Sequence, residues 1–495
     1  MRVLIRRTGN LLELSTDGTN PLPAEVDALV RQTLTYKHVK HLRGREAFNP
    51  VTREYQRVRV QDTAMYAHDG RGRLLALRGF RWRLQDLLRA HQVDFEYVDL
   101  EPAKANDVYQ PDWAAVLSRV EFRERQEECL IRLATHDMGI IQAPPGFGKS
   151  FLMGLVPLLF PKARIDIIVK LGSLFEQIYR DVLQHTPNVG RVGHTKVDWK
   201  RVTLISAGSI HRSDGEADIV LAEEMHQLIA KKAGEGLSRY THARMFGFSA
   251  TPEGRSDQAD IRGEGLFGRT IFEMTYQEGV ALGLVVPIEV RWYSVPGGDP
   301  ASGVRSPVRR KQLAIWTNYQ RNATIAAAVR LHSEHQILVL VETLEHALYL
   351  RQHLPEFSLV YGGASVKGQR IEKFRKLGLF GEQEQLLTDP QRTAMKREFV
   401  AGRLRYVIAT DIWGTGVDIR NLRVTARASG NTGKITDYQQ GGRPSRLADG
   451  TEKPFGILLD FLDEFSTTDS RRAAERRRNY AKHGWSQVMP DGTRI

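Results

Sequence analysis

The chain has 495 residues, more than one hydrophobic core accommodates, so it divides into several domains, roughly two to four. Hydrophobic residues make up 41% and charged residues 26%, which excludes a disordered or fibrous chain. The 71 Lys and Arg against 58 Asp and Glu leave a net charge of +13, an excess that gathers polyanions, nucleic acid foremost, although a merely soluble basic protein carries the same balance. Cys129 is the single cysteine, so an intramolecular disulfide and a multi-cysteine zinc site are excluded, in keeping with a reducing cytosol. The opening "MRVLIRR" is too short for a signal sequence, and no run of about 18 apolar residues occurs, so a cytoplasmic protein with no membrane span is expected.

Residues 1–115 show short alternating runs such as "YQRVRV", a hairpin-like "HDGRG" and an amphipathic "FRWRLQDLLRAHQ" ahead of "DFEYVDL", the pattern of a small α+β module. In "RGFRWRLQDLLR" the arginines Arg78, Arg81 and Arg83 alternate with Phe80 and Trp82, a combination that holds phosphates and stacks bases. An amphipathic helix that packs Trp82 inward has the same spacing. Arg81 and Arg83 are the nucleic-acid candidates of this module.

From "FRERQEECLIRLATH" the rhythm changes to apolar runs of strand length, "GIIQA", "RIDIIVK", "RVTLISA", "ADIVLAE" and "RMFGFSA", separated by helical patterns. Strands apolar on both faces belong in a parallel sheet covered by helices, and residues 116–285 are assigned to this first α/β domain. Pro, Gly and Ser accumulate over residues 282–307, as at a linker. A second series, "QILVLVE", "FSLVYGG", "LRYVIATD" and "FGILLDF", fills the second α/β domain at 286–475. "RRAAERRRNYAKHGW" reads as a basic helix leading into a tail at 476–495.

The stretch "QAPPGFGKS", residues 142–150, lies between a buried-strand pattern and the helical "SFLMGLVPLLF". Strand, glycine loop and helix make a phosphate seat: loop N–H groups cradle the oxygens, Lys149 reaches the β and γ phosphates, and the Ser150 hydroxyl ligates magnesium. Ala143, Pro144, Pro145, Gly146, Phe147 and Gly148 form the loop, with alanine where the usual pattern begins with glycine. "ADIVLAEEMH" then supplies Glu223 and Glu224 after an apolar run, one carboxylate to hold a metal and one to orient water. Standing alone, such a pair also opens ordinary surface helices.

In order along the chain, these segments resemble the superfamily 2 helicases of the DExH type, over residues 118 to 480. "FRERQ" is similar to the adenine-reading segment, with Gln126 in the amide position, "APPGFGKS" to motif I, "AEEMH" to motif II and "FSATP" to motif III. "IATDIWGTGVD" resembles motif V, and "QQGGRPSR" fits motif VI through Gln439, Gly442, Arg443 and Arg446. The resemblance implies two tandem RecA-like parallel-sheet domains behind the small N-terminal module, with ATP and Mg2+ held in a cleft between the lobes. It further implies that Arg443 and Arg446 stabilise the γ-phosphate, that Asp418 meets the ribose and that Thr410 meets the nucleic-acid backbone. His226, Ser249, Ala250, Thr251 and Gln439 then couple the nucleotide to lobe movement. Motif II normally begins with aspartate, and Glu223 is one methylene longer; it is expected to reach the metal through a water, with altered metal preference or rate.

Within the superfamily, the N-terminal module, the "RNATIAAAV" helix and the closing "RRNYAKHGW" resemble the phage UvsW type of branch-migration helicase and XPB-like DNA translocases. This implies an ATP hydrolase that unwinds or branch-migrates duplex, forked or branched DNA, acting as a monomer on its substrate, in the host cytoplasm if phage-encoded. The alternatives are an RNA helicase, a translocase that does not separate strands, and a nucleic-acid-binding protein whose ATP site is degenerate because of Glu223.

Overall fold

The computed structural model describes residues 2–41, 48–49, 54–55, 58–101, 107–170, 173–229, 231–250, 260–362, 368–410, 413, 419–447 and 453–495. The chain divides into two compact units, Met1–Ala143 with Gly148–Met274 and Pro144–Phe147 with Thr275–Ile495.

The first unit begins with a five-stranded mixed sheet, in the order Tyr66–His68, Leu74–Leu77, Leu11–Ser15, Arg2–Thr8 and Asp94–Asp99. Alternating residues of these strands, among them Val3, Ile5, Leu12 and Leu14, face a core shared with the helices Ala24–Thr33 and Arg81–Ala90. The run "YQRVRV" contributes to Val58–Ala64, which pairs with Thr35–His41 in a separate two-stranded ribbon.

Next comes an eight-stranded sheet in the order Val197–Asp198, Gly190–Val192, Val202–Ser206, Ile165–Val169, Ile219–Glu223, Arg244–Ser249, Met138–Gln142 and Thr270–Glu273. All neighbours pair parallel except the outermost two-residue strand. Ile165–Val169, Val202–Ser206 and Ile219–Glu223 are buried along their whole length, because helices cover both faces and no strand residue meets water. The second unit repeats this plan with seven parallel strands: Ser358–Val360, Tyr406–Ala409, Ile337–Leu340, Val424–Arg427, Gly456–Leu462, Ile288–Ser294 and Ser486–Val488. The architecture is thus α/β, two tandem RecA-like sheets preceded by a small sheet module.

Two sequence expectations are corrected. The Pro- and Gly-rich stretch read as a linker contains the strand Ile288–Ser294, which pairs with Gly456–Leu462 on one side and Ser486–Val488 on the other. Pro287 and Gly297 bracket the strand and disguised it. The expected tail supplies the edge strand Ser486–Val488, and the preceding helix, Thr467–Lys482, runs across the expected boundary.

Of the two nucleic-acid candidates, Arg83 joins the N-terminal module to the first RecA-like sheet, and Arg81 packs within the module. Arg83 pairs with Glu264 at 2.8 Å, and the Arg81 guanidinium lies 3.7 Å over the Tyr97 ring. Beside them the buried Arg78 donates to the Ala243 carbonyl, and burial pulls its pKa down to about 10. Gly79 permits this docking: a Cβ there would lie 2.1 Å from the Glu264 carbonyl oxygen. Because backbone rather than a flexible side chain fills that space, Gly79→Ala should cost about 1–3 kcal/mol of first-unit stability in urea titration. An unchanged unfolding midpoint would refute this docking role.

Candidate active site

The parallel register brings three strand ends level. Gln142 stands opposite Ser249, and Glu223 opposite Phe248, so Met138–Gln142, Arg244–Ser249 and Ile219–Glu223 finish along one carboxyl edge. Ligands of open α/β sheets bind outside this edge, where strands give way to loops and helix N-termini.

From the first of these strands the chain enters the glycine loop. Gly146 and Gly148 have φ of 97° and 98°, a left-handed conformation that side-chain-bearing residues adopt at a cost, and the helix Lys149–Leu159 starts immediately afterwards. Lys149 is 9% exposed, and its ammonium donates to the Ala143 carbonyl at 2.8 Å, which holds it under the loop. Ser150 is half-buried on the first helical turn, while Ala143, Pro144 and Phe147 are buried and Pro145 half-buried. The buried Gln126 opens the helix Gln126–Thr135, and its Oε1 accepts from the Arg123 N–H at 3.0 Å. A Cβ on Gly148 would lie 2.6 Å from Gln126 Nε2, so the amide abuts the loop.

Glu223 is the last residue of its strand and 4% exposed; Glu224 follows at φ 49°, a left-handed turn that leads into the helix Met225–Leu228. Burial raises both pKa values. Glu224 raises that of Glu223 further, and Lys149 opposes the shift at both. Glu223 Oε2 is buried and accepts no hydrogen bond from a described residue. With the Ser150 hydroxyl it fits a hard cation that takes its remaining ligands from phosphate and water, as magnesium does. Among the described residues no group of three or more His, Cys, Asp or Glu forms an all-protein metal cage.

His226 is buried and links motifs II and III: its Nδ1 lies 2.9 Å from Ser249 Oγ and 3.3 Å from Glu224 Oε2. The imidazole nitrogen is hydrogen-bonded to the adjoining strand end and stands within ion-pair distance of Glu224. Ala250 is half-buried beside it. Thr251 and Asp418 lie outside the described residues.

In the second unit, Thr410 is buried at the end of Tyr406–Ala409, with its N–H donating to the Val360 carbonyl at 3.0 Å. Gln439 is half-buried on the helix Lys434–Gly441, and Arg443 opens the one-turn 3-10 helix Arg443–Ser445, followed by Arg446. Lys453, missed in the sequence, fixes this turn: its buried ammonium donates to the Arg446 carbonyl at 2.7 Å and to the Arg420 carbonyl at 3.3 Å. Burial, reinforced by Arg423 and Arg446, brings its pKa down to about 7. In "GTEKPFG" such a lysine reads as part of a surface turn, and no local signal marks it.

A glycine loop, a buried carboxylate pair and a histidine at the strand ends of one RecA-like sheet, with a second such sheet following, are the parts of a tandem RecA-like nucleotide hydrolase. Residues 119–254 match the family model "Type III restriction enzyme, res subunit". "Putative helicase 22" of Sulfolobus islandicus filamentous virus (isolate Iceland/Hveragerdi) is 24% identical over 431 residues, covering 78% of this chain and 70% of its own length. S. cerevisiae Dbp5, in a structure bound to RNA and ADP BeF3, superposes with a TM-score of 0.52 at 14% identity, over 78% of this chain and 94% of that one. T4 UvsW aligns over 99% of each chain at 13% identity, but with a TM-score of 0.41, too low to support a particular likeness. Residues 119–254 thus carry a domain of that family, the viral helicase is a distant relative, and the fold is that of tandem RecA-like proteins. No helix among its described residues is long and apolar enough to cross a membrane.

The buried acid pair has a consequence for stability. With its pKa raised on folding, Glu223 keeps a proton that the unfolded chain releases above the ordinary glutamate range, so stability falls as pH rises through that window. Without nucleotide or divalent cation, Glu223→Gln should therefore melt higher than the wild type at about pH 8, with the difference closing toward about pH 4. A melting difference that does not vary with pH would contradict the assignment.

Proposed function

We propose that the protein is an ATP-driven motor on DNA, unwinding or branch-migrating duplex, forked or branched substrates. The observation that carries this reading is the placement of Lys149, Glu223, Glu224, His226 and Ser249 at three adjacent strand ends. Lys149 and the loop N–H groups bind the triphosphate, the Gln126 amide reads the adenine, and Ser150 and Glu223 hold magnesium, Glu223 through a water. When bound, magnesium neutralises charge on the phosphate oxygens. Glu224 orients the attacking water. Arg443 and Arg446 of the second unit meet the charge that develops on the γ-phosphate, a contribution of about 10³ to 10⁵ in rate where a guanidinium does this work.

His226, Ser249, Ala250, Thr251 and Gln439 couple nucleotide state to movement, Asp418 meets the ribose and Thr410 the nucleic-acid backbone. In the N-terminal module Arg81, stacked on Tyr97, and Arg83, paired with Glu264, are the candidates for contact with the DNA. DNA is preferred over RNA because the N-terminal module and the closing "RRNYAKHGW" resemble DNA translocases of the UvsW and XPB kinds.

ATP turnover measured with and without DNA or RNA tests this reading. The wild type should be stimulated by nucleic acid with magnesium or manganese, and Lys149→Ala and Glu224→Gln should each lose about 10² or more in kcat. Absence of turnover with either metal would establish a binding protein in place of a motor. Strand displacement on forked and four-way DNA and on RNA duplexes separates the motor classes, and activity confined to RNA would overturn the DNA assignment.

A further inference from the structure

We infer that the C-terminal segment Asn479–Trp485 is a positioning clamp for the helix Lys434–Gly441, setting where the turn that carries Arg443 and Arg446 lies. The inference rests on the ATPase reading above and deepens it.

The segment grips the helix at both ends. At the far end from the arginines, the buried Asp437 carboxylate accepts from Asn479 Nδ2 at 2.6 Å and pairs with Arg427 at 2.5 Å. Arg427 donates to the Tyr480 hydroxyl at 2.8 Å, and that hydroxyl donates to Asp460 at 2.6 Å. At the near end, the Trp485 indole lies against the helix backbone itself. A Cβ on Gly441 would stand 2.5 Å from Trp485 Cζ3, 2.8 Å from Cη2 and 2.9 Å from Leu458 Cδ2, so the indole, backed by the tip of Leu458, occupies the space a side chain at 441 would need. The ring is held in place by stacking on Tyr438 and Tyr480, with centroids at 6.0 and 5.3 Å. Gly484, at φ 70°, makes the turn that carries the chain from the helix Thr467–Lys482 to this contact.

Arg443 follows Gly441 by two residues. With no Cβ between ring and backbone, the position of the indole fixes the position of the helix end, and the arginines inherit it. A displacement of about 1 Å in such a group costs about 10²-fold in rate. The charged network at the other end is an expensive way to fill a core, where apolar residues of similar volume serve as well or better, and its geometry constrains the helix as apolar packing would not.

The test is Gly441→Ala in the full chain. Alanine favours helix over glycine by about 1 kcal/mol, so the substitution does not weaken the helix itself. The expected result is a fall in nucleic-acid-stimulated kcat of at least roughly tenfold, with KM for ATP and binding of a fluorescent ATP analogue unchanged. Trp485→Leu removes the two nearest obstructing atoms and leaves the Leu458 methyl room to shift, so the double variant Gly441→Ala with Trp485→Leu should recover kcat toward that of Trp485→Leu alone. Asn479→Ala, which acts at the other end of the helix, should also lower kcat without changing ATP binding.

A purely structural role predicts the opposite order, with the double variant less stable on thermal melting and no more active than Gly441→Ala. That result would overturn the inference, as would a Gly441→Ala variant as fast as the wild type. A wild type that hydrolyses no ATP would overturn the ATPase reading and this inference with it, whereas an active wild type beside an unaffected Gly441→Ala defeats the inference alone.

Discussion

Parallel pairing of Met138–Gln142, Arg244–Ser249 and Ile219–Glu223 is the constraint from which the first unit's chemistry follows. A sheet buried on both faces admits few polar side chains along its strands, Asp166 with its Tyr240 and Ser213 partners being one, so most collect where the strands end. Because the ladders bring Gln142 level with Ser249 and Glu223 level with Phe248, three separate stretches of sequence deliver their polar residues to one line. Four non-glycine residues with left-handed backbone occur among the described residues, and two of them, Arg125 and Glu224, stand at this site. Arg125 turns the chain into the helix that Gln126 opens, and Glu224 turns it out of the strand that Glu223 ends. Such conformations cost of order 1–3 kcal/mol and persist where surrounding structure holds them.

Burial of two adjacent carboxylates works against folding, and Lys149 offsets only part of that cost. A bound cation would reverse the balance, since its charge favours the ionised carboxylate that burial disfavours. The extra methylene of Glu223 relative to aspartate matters in this light. A longer arm on a fixed strand end reaches further into the loop region, which suits contact through a water rather than a direct bond in the tight octahedral shell of magnesium.

Much of this was legible in the sequence, and the reason is local. Strands such as Ile337–Leu340 and Tyr406–Ala409 are apolar on both faces, and a parallel sheet is the environment that tolerates them. The phosphate loop and the acid pair are contiguous in the chain, so spacing reveals them. Ile288–Ser294 was hidden because alternation with Glu289 and Arg291 and bracketing by Pro287 and Gly297 give it the texture of a linker, although long-range pairing makes it an inner strand. The mixture of arginine and aromatic residues around Trp82 was ambiguous for a related reason: docking on Glu264 and binding a phosphate ask for the same guanidinium. Lys453 and Trp485 left no trace, since what they touch lies at Arg446, Arg420 and Gly441, distant in the chain.

The two units therefore place their functional side chains by different physical means. In the first, backbone hydrogen bonds set the geometry, and a side-chain substitution away from the strand ends leaves the ladder unchanged. In the second, the arginine-bearing turn hangs from a helix whose position depends on side chains: Asp437 on Arg427 and Asn479 at one end, the Trp485 ring at the other. Arg321, Arg427 and Arg476 are fully buried there, each matched to an aspartate, so removing any single partner strands an uncompensated charge. A helix held in this way has few alternative positions, which suits a group whose contribution to catalysis depends on distance.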